Sequence, residues 1–86
     1  MRKLWSDKAW ADYLYWQLHD RQILKRINAL IRDVERCPFD GIGKPEQLRG
    51  DLSGCWSRRI DDNHRLVYRV VDGILEIASC KGHYND

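Results

Sequence analysis

The sequence predicts an α+β fold: two N-terminal helices packed on one face of a twisted, mainly antiparallel β-sheet. Three features carry that expectation. Apolar residues in the first half recur at helical steps, the stretch from Trp56 to Cys80 reads as strands, and those strands are divided by Asp-Asp-Asn-His and by Asp72-Gly73. A chain of 86 residues suits one domain, taken as 1–86, with a modest core, because a domain of about 60 residues buries only about 60% of the surface its unfolded chain exposes.

Arg2 to Trp5 is short enough for an edge strand. Ser6 is a plausible N-cap, with the Asp7 carboxylate at the positive end of the helix that follows. That first helix should run to about His19 and present Trp10, Tyr13, Leu14 and Leu18 as its apolar stripe. Trp5, Tyr15 and Trp16 are read with them as core, not as a base-stacking platform. Asp20 can cap a second helix with Ile23, Ile27, Leu30, Ile31 and Val34 on one side, the strongest periodic signal in the chain. Cys37-Pro38 should close it, since a residue before proline is pushed out of the α region. The loop FDGIGKP is turn-rich but lacks the spacing of a phosphate-binding loop.

Strands are expected over Trp56 to Ile60, Arg65 to Val71 and Ile74 to Cys80, with one more near Leu48. Asp72-Gly73 is a two-residue hairpin signal that fixes a register. Arg69 would face Glu76, Val67 would face Ala78 and Arg65 would face Cys80, while Leu66, Tyr68 and Val70 pack on the helices with Leu75, Ile77 and Ser79. For the preceding hairpin, a three-residue loop pairs Arg59 with Arg65 and Trp56 with Tyr68, and a four-residue loop pairs Ile60 with Arg65. The first is preferred because it groups the aromatics.

Composition excludes several classes. No run approaches the roughly 18 apolar residues that span a bilayer, and the N-terminus lacks a signal-peptide core, so a cytoplasmic location and no membrane partner are expected. The odd set Cys37, Cys55 and Cys80 has no CxxC pair, so buried free thiols are expected, with neither a disulfide framework nor a metal site. The net charge of +2 announces no partner. Its distribution says more, because Arg58, Arg59, Arg65 and Arg69 fall inside strands and should share a surface that most of the acids avoid.

Like charges facing across strands repel, so Arg59 opposite Arg65 calls for compensation. One source is an ion-pair network with Asp51, Asp61, Asp62 or Glu76, and Arg69 with Glu76 is its obvious couple. The other is a ligand: two guanidiniums on an uncovered sheet face suit a phosphodiester and the charge it gains in a transition state. RNA supplies its own nucleophile, the 2′-hydroxyl, so a protein need add only a base, an acid and cations, without metal or cofactor. Glu46 is a candidate base, His83 a candidate acid or base, and Tyr84 a candidate stacking or hydrogen-bonding group.

The stretches LWS, DYLYWQ, RINALI, PFDGIGKPEQL, LSGCWSRRI, HRLVY and the terminal Cys-Lys-Gly-His-Tyr resemble the YoeB (Txe) branch of the RelE/ParE toxin superfamily, from about Leu4 to Tyr84. The resemblance implies a type II toxin with a fold like microbial ribonucleases, which cuts A-site codons of mRNA on the 70S ribosome without a metal. It implies a cognate YefM-like antitoxin that blocks the site, a homodimer, and operator DNA bound through the antitoxin complex. By position, the family's general base matches Glu46, its phosphate-stabilising arginine Arg65 and its general acid His83, with Tyr84 beside it. Arg59 and Arg49 match positions that hold RNA, and Lys44 is a further member of that group. Two departures stand out: arginine at position 49 keeps the charge but changes its geometry, and Asn85-Asp86 extends the chain past the tyrosine. The rival readings are a gyrase-poisoning toxin of the same fold, whose members lack the Glu, Arg and His set, and an RNA-binding protein that blocks the ribosome without cutting.

Overall fold

The computed structural model describes residues 1–83; Tyr84, Asn85 and Asp86 lie outside the described residues. The order is β1 (Arg2–Trp5), α1 (Asp7–His19), α2 (Arg21–Arg36), β2 (Glu46–Gln47), a 3-10 turn (Gly50–Leu52), β3 (Trp56–Arg59), β4 (Arg65–Val71) and β5 (Ile74–Ser79). The strands form one sheet in the order β1-β5-β4-β3-β2. β1 runs parallel to β5, and the other pairs are antiparallel. The strand expected near Leu48 is β2, two residues earlier and two residues long.

Local chemistry sets the helix ends. The Ser6 hydroxyl accepts the Ala9 N–H at 2.9 Å. Asp20 serves both helices: its N–H closes α1 on the Trp16 carbonyl, and its carboxylate accepts the Gln22 and Ile23 N–H groups that open α2. Ile27, Leu30, Ile31 and Val34 of α2 pack with Leu66, Tyr68, Leu75 and Ile77 of the sheet and with Ala9 and Trp16 of α1. Leu30 is fully buried, so truncating it to alanine should cost about 2–5 kcal/mol.

The face of α1 differs from the expectation. Trp10, Leu14 and Leu18 are exposed, Leu18 at 78%, and Tyr15 is exposed as well. The buried residues are Ala9, Asp12 and Trp16, with Trp5 and Tyr13 half-buried against the core. Hydrogen bonding chose this face. The Asp12 carboxylate accepts the Cys80 N–H at 3.0 Å and the Trp16 indole N–H donates to the Cys80 carbonyl at 2.9 Å, so the side of α1 that turns inward is the one able to satisfy the end of β5.

The Asp72-Gly73 turn has positive φ at both residues, +53° and +76°, as a type I′ hairpin requires. Register follows the expectation from Val71–Ile74 to Tyr68–Ile77 and then slips, so that Val67 faces Ser79 and not Ala78. The slip is a β-bulge, and its cause lies at Ala78. There β1 has ended, and the Ser6 hydroxyl that caps α1 donates to the Ala78 carbonyl at 2.7 Å. One extra residue reverses the faces beyond it. Cys80, expected opposite Arg65 on the open face, is instead fully buried in the core. Cys37 and Cys55 are half-buried, so burial of all three thiols is not what forms.

Arg58 also departs from the expected shared surface. It lies opposite Leu66 on the helix side and is fully buried. All five of its N–H donors are used: Nε to the Tyr68 hydroxyl (3.1 Å), Nη1 to Asp33 Oδ2 (2.5 Å) and the Ile42 carbonyl (3.1 Å), and Nη2 to the carbonyls of Cys37 (2.7 Å) and Asp40 (3.0 Å). Its carboxylate comes from α2, not from the acids of the C-terminal half. The loop FDGIGKP is therefore a collar around a buried guanidinium. A Cβ on Gly41 would lie 2.0 Å from Asp33 Oδ2, and one on Gly43 would lie 2.7 Å from Leu30, so close approach demands glycine at both positions. The Ile42 N–H and the Arg58 guanidinium together lower the Asp33 pKa from its ordinary 3.8 to about 2.

Candidate active site

Strand register places Glu46, Arg59 and Arg65 on the sheet face away from the helices. Leu66 and Tyr68 face the core, so Arg65, Val67 and Arg69 face the other way. Across the β3–β4 ladder Ser57 pairs with Val67 and Arg59 with Arg65, as the three-residue loop requires, and across β2–β3 Glu46 pairs with Ser57. Glu46, Ser57 and Val67 thus form a row, with Arg59 and Arg65 as a second row one pleat further on. Ser57 and Val67 are buried although they do not belong to the core cluster, and Glu46 and Arg59 are exposed at their rim. With facing residues about 5 Å apart and same-face residues about 7 Å apart along a strand, Glu46 and Arg65 start roughly 12 Å apart at the backbone. A backbone separation of that size leaves room for one phosphodiester.

Arg65 is 8% exposed and is aimed by the loop before it. Its Nη1 donates to the Asp61 carbonyl at 2.7 Å and to the His64 carbonyl at 3.0 Å. The loop itself is shaped by Asp61, whose carboxylate accepts the Asn63 and His64 N–H groups at 2.8 Å each. That carboxylate caps a turn and is not the counter-ion weighed for the arginines. Arg69 does pair with Glu76, as expected.

His83 follows directly on a segment tied to the same place. The Arg65 N–H donates to the Gly82 carbonyl at 3.0 Å, and the Gly82 N–H donates to His64 Nδ1 at 2.8 Å. His83 is exposed one residue later. Lys44 is exposed, with φ at +51°, uncommon without a glycine, and it turns the chain just before β2. Arg49 is exposed outside the ladder, at the start of the 3-10 turn, so register does not bring it into either row. The role assigned to Tyr84 falls outside the described residues. Among the described residues no three His, Cys, Asp or Glu side chains are grouped to hold a metal ion, and no helix is long and apolar enough to cross a membrane.

Three residues that spacing did not single out bear on this site: Asp12, Trp16 and His64. Asp12 reads as a solvent-facing helix residue and His64 as part of a turn. The only trace in the sequence is that Asp12 lies at helical spacing between Ala9 and Trp16.

Residues 5–84 match the family model described as YoeB-like toxin of bacterial type II toxin-antitoxin system. The chain belongs to that family. The YoeB toxin of Escherichia coli K12 is 57% identical over 84 residues, covering 98% of this chain and all of that protein. The solved YoeB/ParE toxin from Agrobacterium tumefaciens superposes with a TM-score of 0.95 at 48% identity, over 98% of this chain and all of the other. A Staphylococcus aureus YoeB, known both as a heterotetrameric YoeB-YefM toxin-antitoxin complex and as a YoeB dimer, superposes at 0.91 with 46% identity over 98% of each chain. This chain is thus a YoeB-type toxin with two helices on a five-stranded, mostly antiparallel sheet.

Proposed function

We propose that this toxin is a ribosome-dependent mRNA endoribonuclease. Glu46 takes the proton from a 2′-hydroxyl, and the freed oxygen attacks the adjacent phosphorus. Arg65 and Arg59 hold the phosphoryl oxygens as charge grows on them. His83, in its protonated form, gives its proton to the departing 5′-oxygen as the P–O5′ bond breaks. The products are a 2′,3′-cyclic phosphate and a free 5′-hydroxyl. Tyr84 stacks on or hydrogen-bonds the substrate, and Arg49 and Lys44 hold flanking RNA.

The observation that supports this reading is the register that sets Glu46, Arg59 and Arg65 on one face, away from the helices, with the peptide before His83 tied to the Arg65 backbone. The partners that accord with it are the 70S ribosome with its mRNA, a YefM-like antitoxin, a second copy of the toxin, and operator DNA reached through the antitoxin complex. The site of action is the cytoplasm, where ribosomes translate.

Mapping transcript ends after induced expression tests the proposal. New 5′-hydroxyl ends within A-site codons, lost in His83→Gln, are expected. Growth arrest without such ends would overturn it in favour of a gyrase-directed or ribosome-blocking toxin.

A further inference from the structure

The chain beyond β5 is fixed peptide by peptide although it belongs to no strand. Asp12, only 7% exposed, accepts the Cys80 N–H, and the Trp16 indole N–H donates to the Cys80 carbonyl. Lys8 Nζ, which also pairs with Asp12 at 2.8 Å, donates to the Lys81 carbonyl at 3.2 Å. The Lys81 ammonium lies 4.5 Å from the centre of the Tyr15 ring. Gly82 is then gripped on both sides, its N–H by the His64 imidazole and its carbonyl by the Arg65 N–H.

A backbone amide can only donate, so His64 Nδ1 must present its lone pair, and the neutral ring carries its proton on Nε2. The ring plane is set by Trp16, which meets it edge-on at 4.7 Å and 77°. Gly82, at φ +91°, is the residue with the most backbone freedom in the segment, and it directly precedes His83. Burying a carboxylate is costly, and Asp12 commits one to the Cys80 amide, where the buried part of the chain gives way to the exposed Gly82 and His83.

We infer that His64, backed by Trp16 and Asp12, is a positioning residue that holds the Gly82 peptide so that the His83 imidazole is presented to the face lined by Arg65 and Glu46. The catalytic half of this inference rests on the nuclease reading; the grip on Gly82 does not.

Two variants separate the lone pair from the ring. His64→Phe keeps an aromatic edge against Trp16 but has no acceptor, and His64→Asn offers an amide oxygen close to where Nδ1 sits. Because Gly82 is exposed, water replaces the lost partner, and the melting temperature of both variants should stay within a few degrees of the parent. In His64→Phe the Gly82 amide should shift in the proton–nitrogen spectrum and exchange at least about tenfold faster. Its turnover on programmed ribosomes should fall about ten- to a hundredfold with half-saturation unchanged. His64→Asn should remain within about threefold of the parent in both measurements. An unmoved Gly82 amide in His64→Phe overturns the grip. A shifted amide with parental turnover overturns the positioning role. A parent chain that cuts no message on programmed ribosomes defeats the nuclease reading and the catalytic half with it, while the amide still decides the grip.

Discussion

Arg58 and Arg59 are adjacent in β3, yet one is sealed beneath α2 with every N–H donated inside the protein and the other stands exposed opposite Arg65. The pleat alone separates them. On the helix side a guanidinium tolerates burial because Asp33, the Tyr68 hydroxyl and three loop carbonyls complete its hydrogen bonding, leaving no capacity for a ligand. On the other side Arg65 is oriented by two carbonyls, and no carboxylate cancels its charge in those bonds. The same residue type is a structural post on one face and a candidate phosphate ligand on the other. Face parity, not residue type or local charge density, tells them apart.

The largest effect should come from confusing the two faces. Arg58→Leu removes one charge partner of Asp33 and leaves the collar carbonyls of Cys37, Asp40 and Ile42 without their donor, and should cost about 3–5 kcal/mol, measured by urea denaturation. Arg65→Ala should cost only about 1 kcal/mol while reducing cleavage about a hundredfold or more. Comparable losses of stability in the two variants would erase the distinction. Next, Glu46→Gln and His83→Gln should each lower the cleavage rate about 10²- to 10⁴-fold with the melting temperature nearly unchanged, as single-turnover assays on programmed ribosomes would register.

A smaller effect is a pH window. Asp33 has its pKa depressed from 3.8 to about 2 in the folded chain. The unfolded chain therefore takes up this proton first as pH falls. The stability contributed by Asp33 is complete above about pH 4 and is lost progressively between there and about pH 2. Asp33→Asn should be less stable at neutral pH and show a flatter stability profile across that window, followed by thermal melts from pH 5 to 2. The smallest effect is chemical: burial first, then the nearby Asp12 charge, pushes the Cys80 thiol up to about 12. A maleimide at pH 8 should modify Cys37 and Cys55 in the native protein and reach Cys80 only in denaturant.

The two helices show how far pattern reaches. In α2 the apolar residues Ile27, Leu30, Ile31 and Val34 fall on one side with charges on the other, so periodicity names its buried face directly. In α1, Trp10, Leu14 and Leu18 compete with Ala9 and Trp16, and the apolar count favours the wrong side. The buried side carries Asp12, a residue that any hydrophobicity count assigns to water. Its partner, the Cys80 amide, is 68 residues away in the chain. The bulge at Ala78 was hidden for the same reason: the hairpin turn sets register locally, but the Ser6 hydroxyl that draws on Ala78 comes from the other end of the chain.

Turn chemistry, capping residues and alternation thus sufficed for the element order, the pairing of β3 with β4 and the face shared by Arg59 and Arg65, because each depends on residues close together in sequence or on a strict period of two. Long-range hydrogen bonds decided the inward side of α1, the Asp33 partner of Arg58, and the tethering of the segment that leads to His83. Such bonds join groups that only the folded chain brings together. Neither partner's neighbours in the chain announce the other.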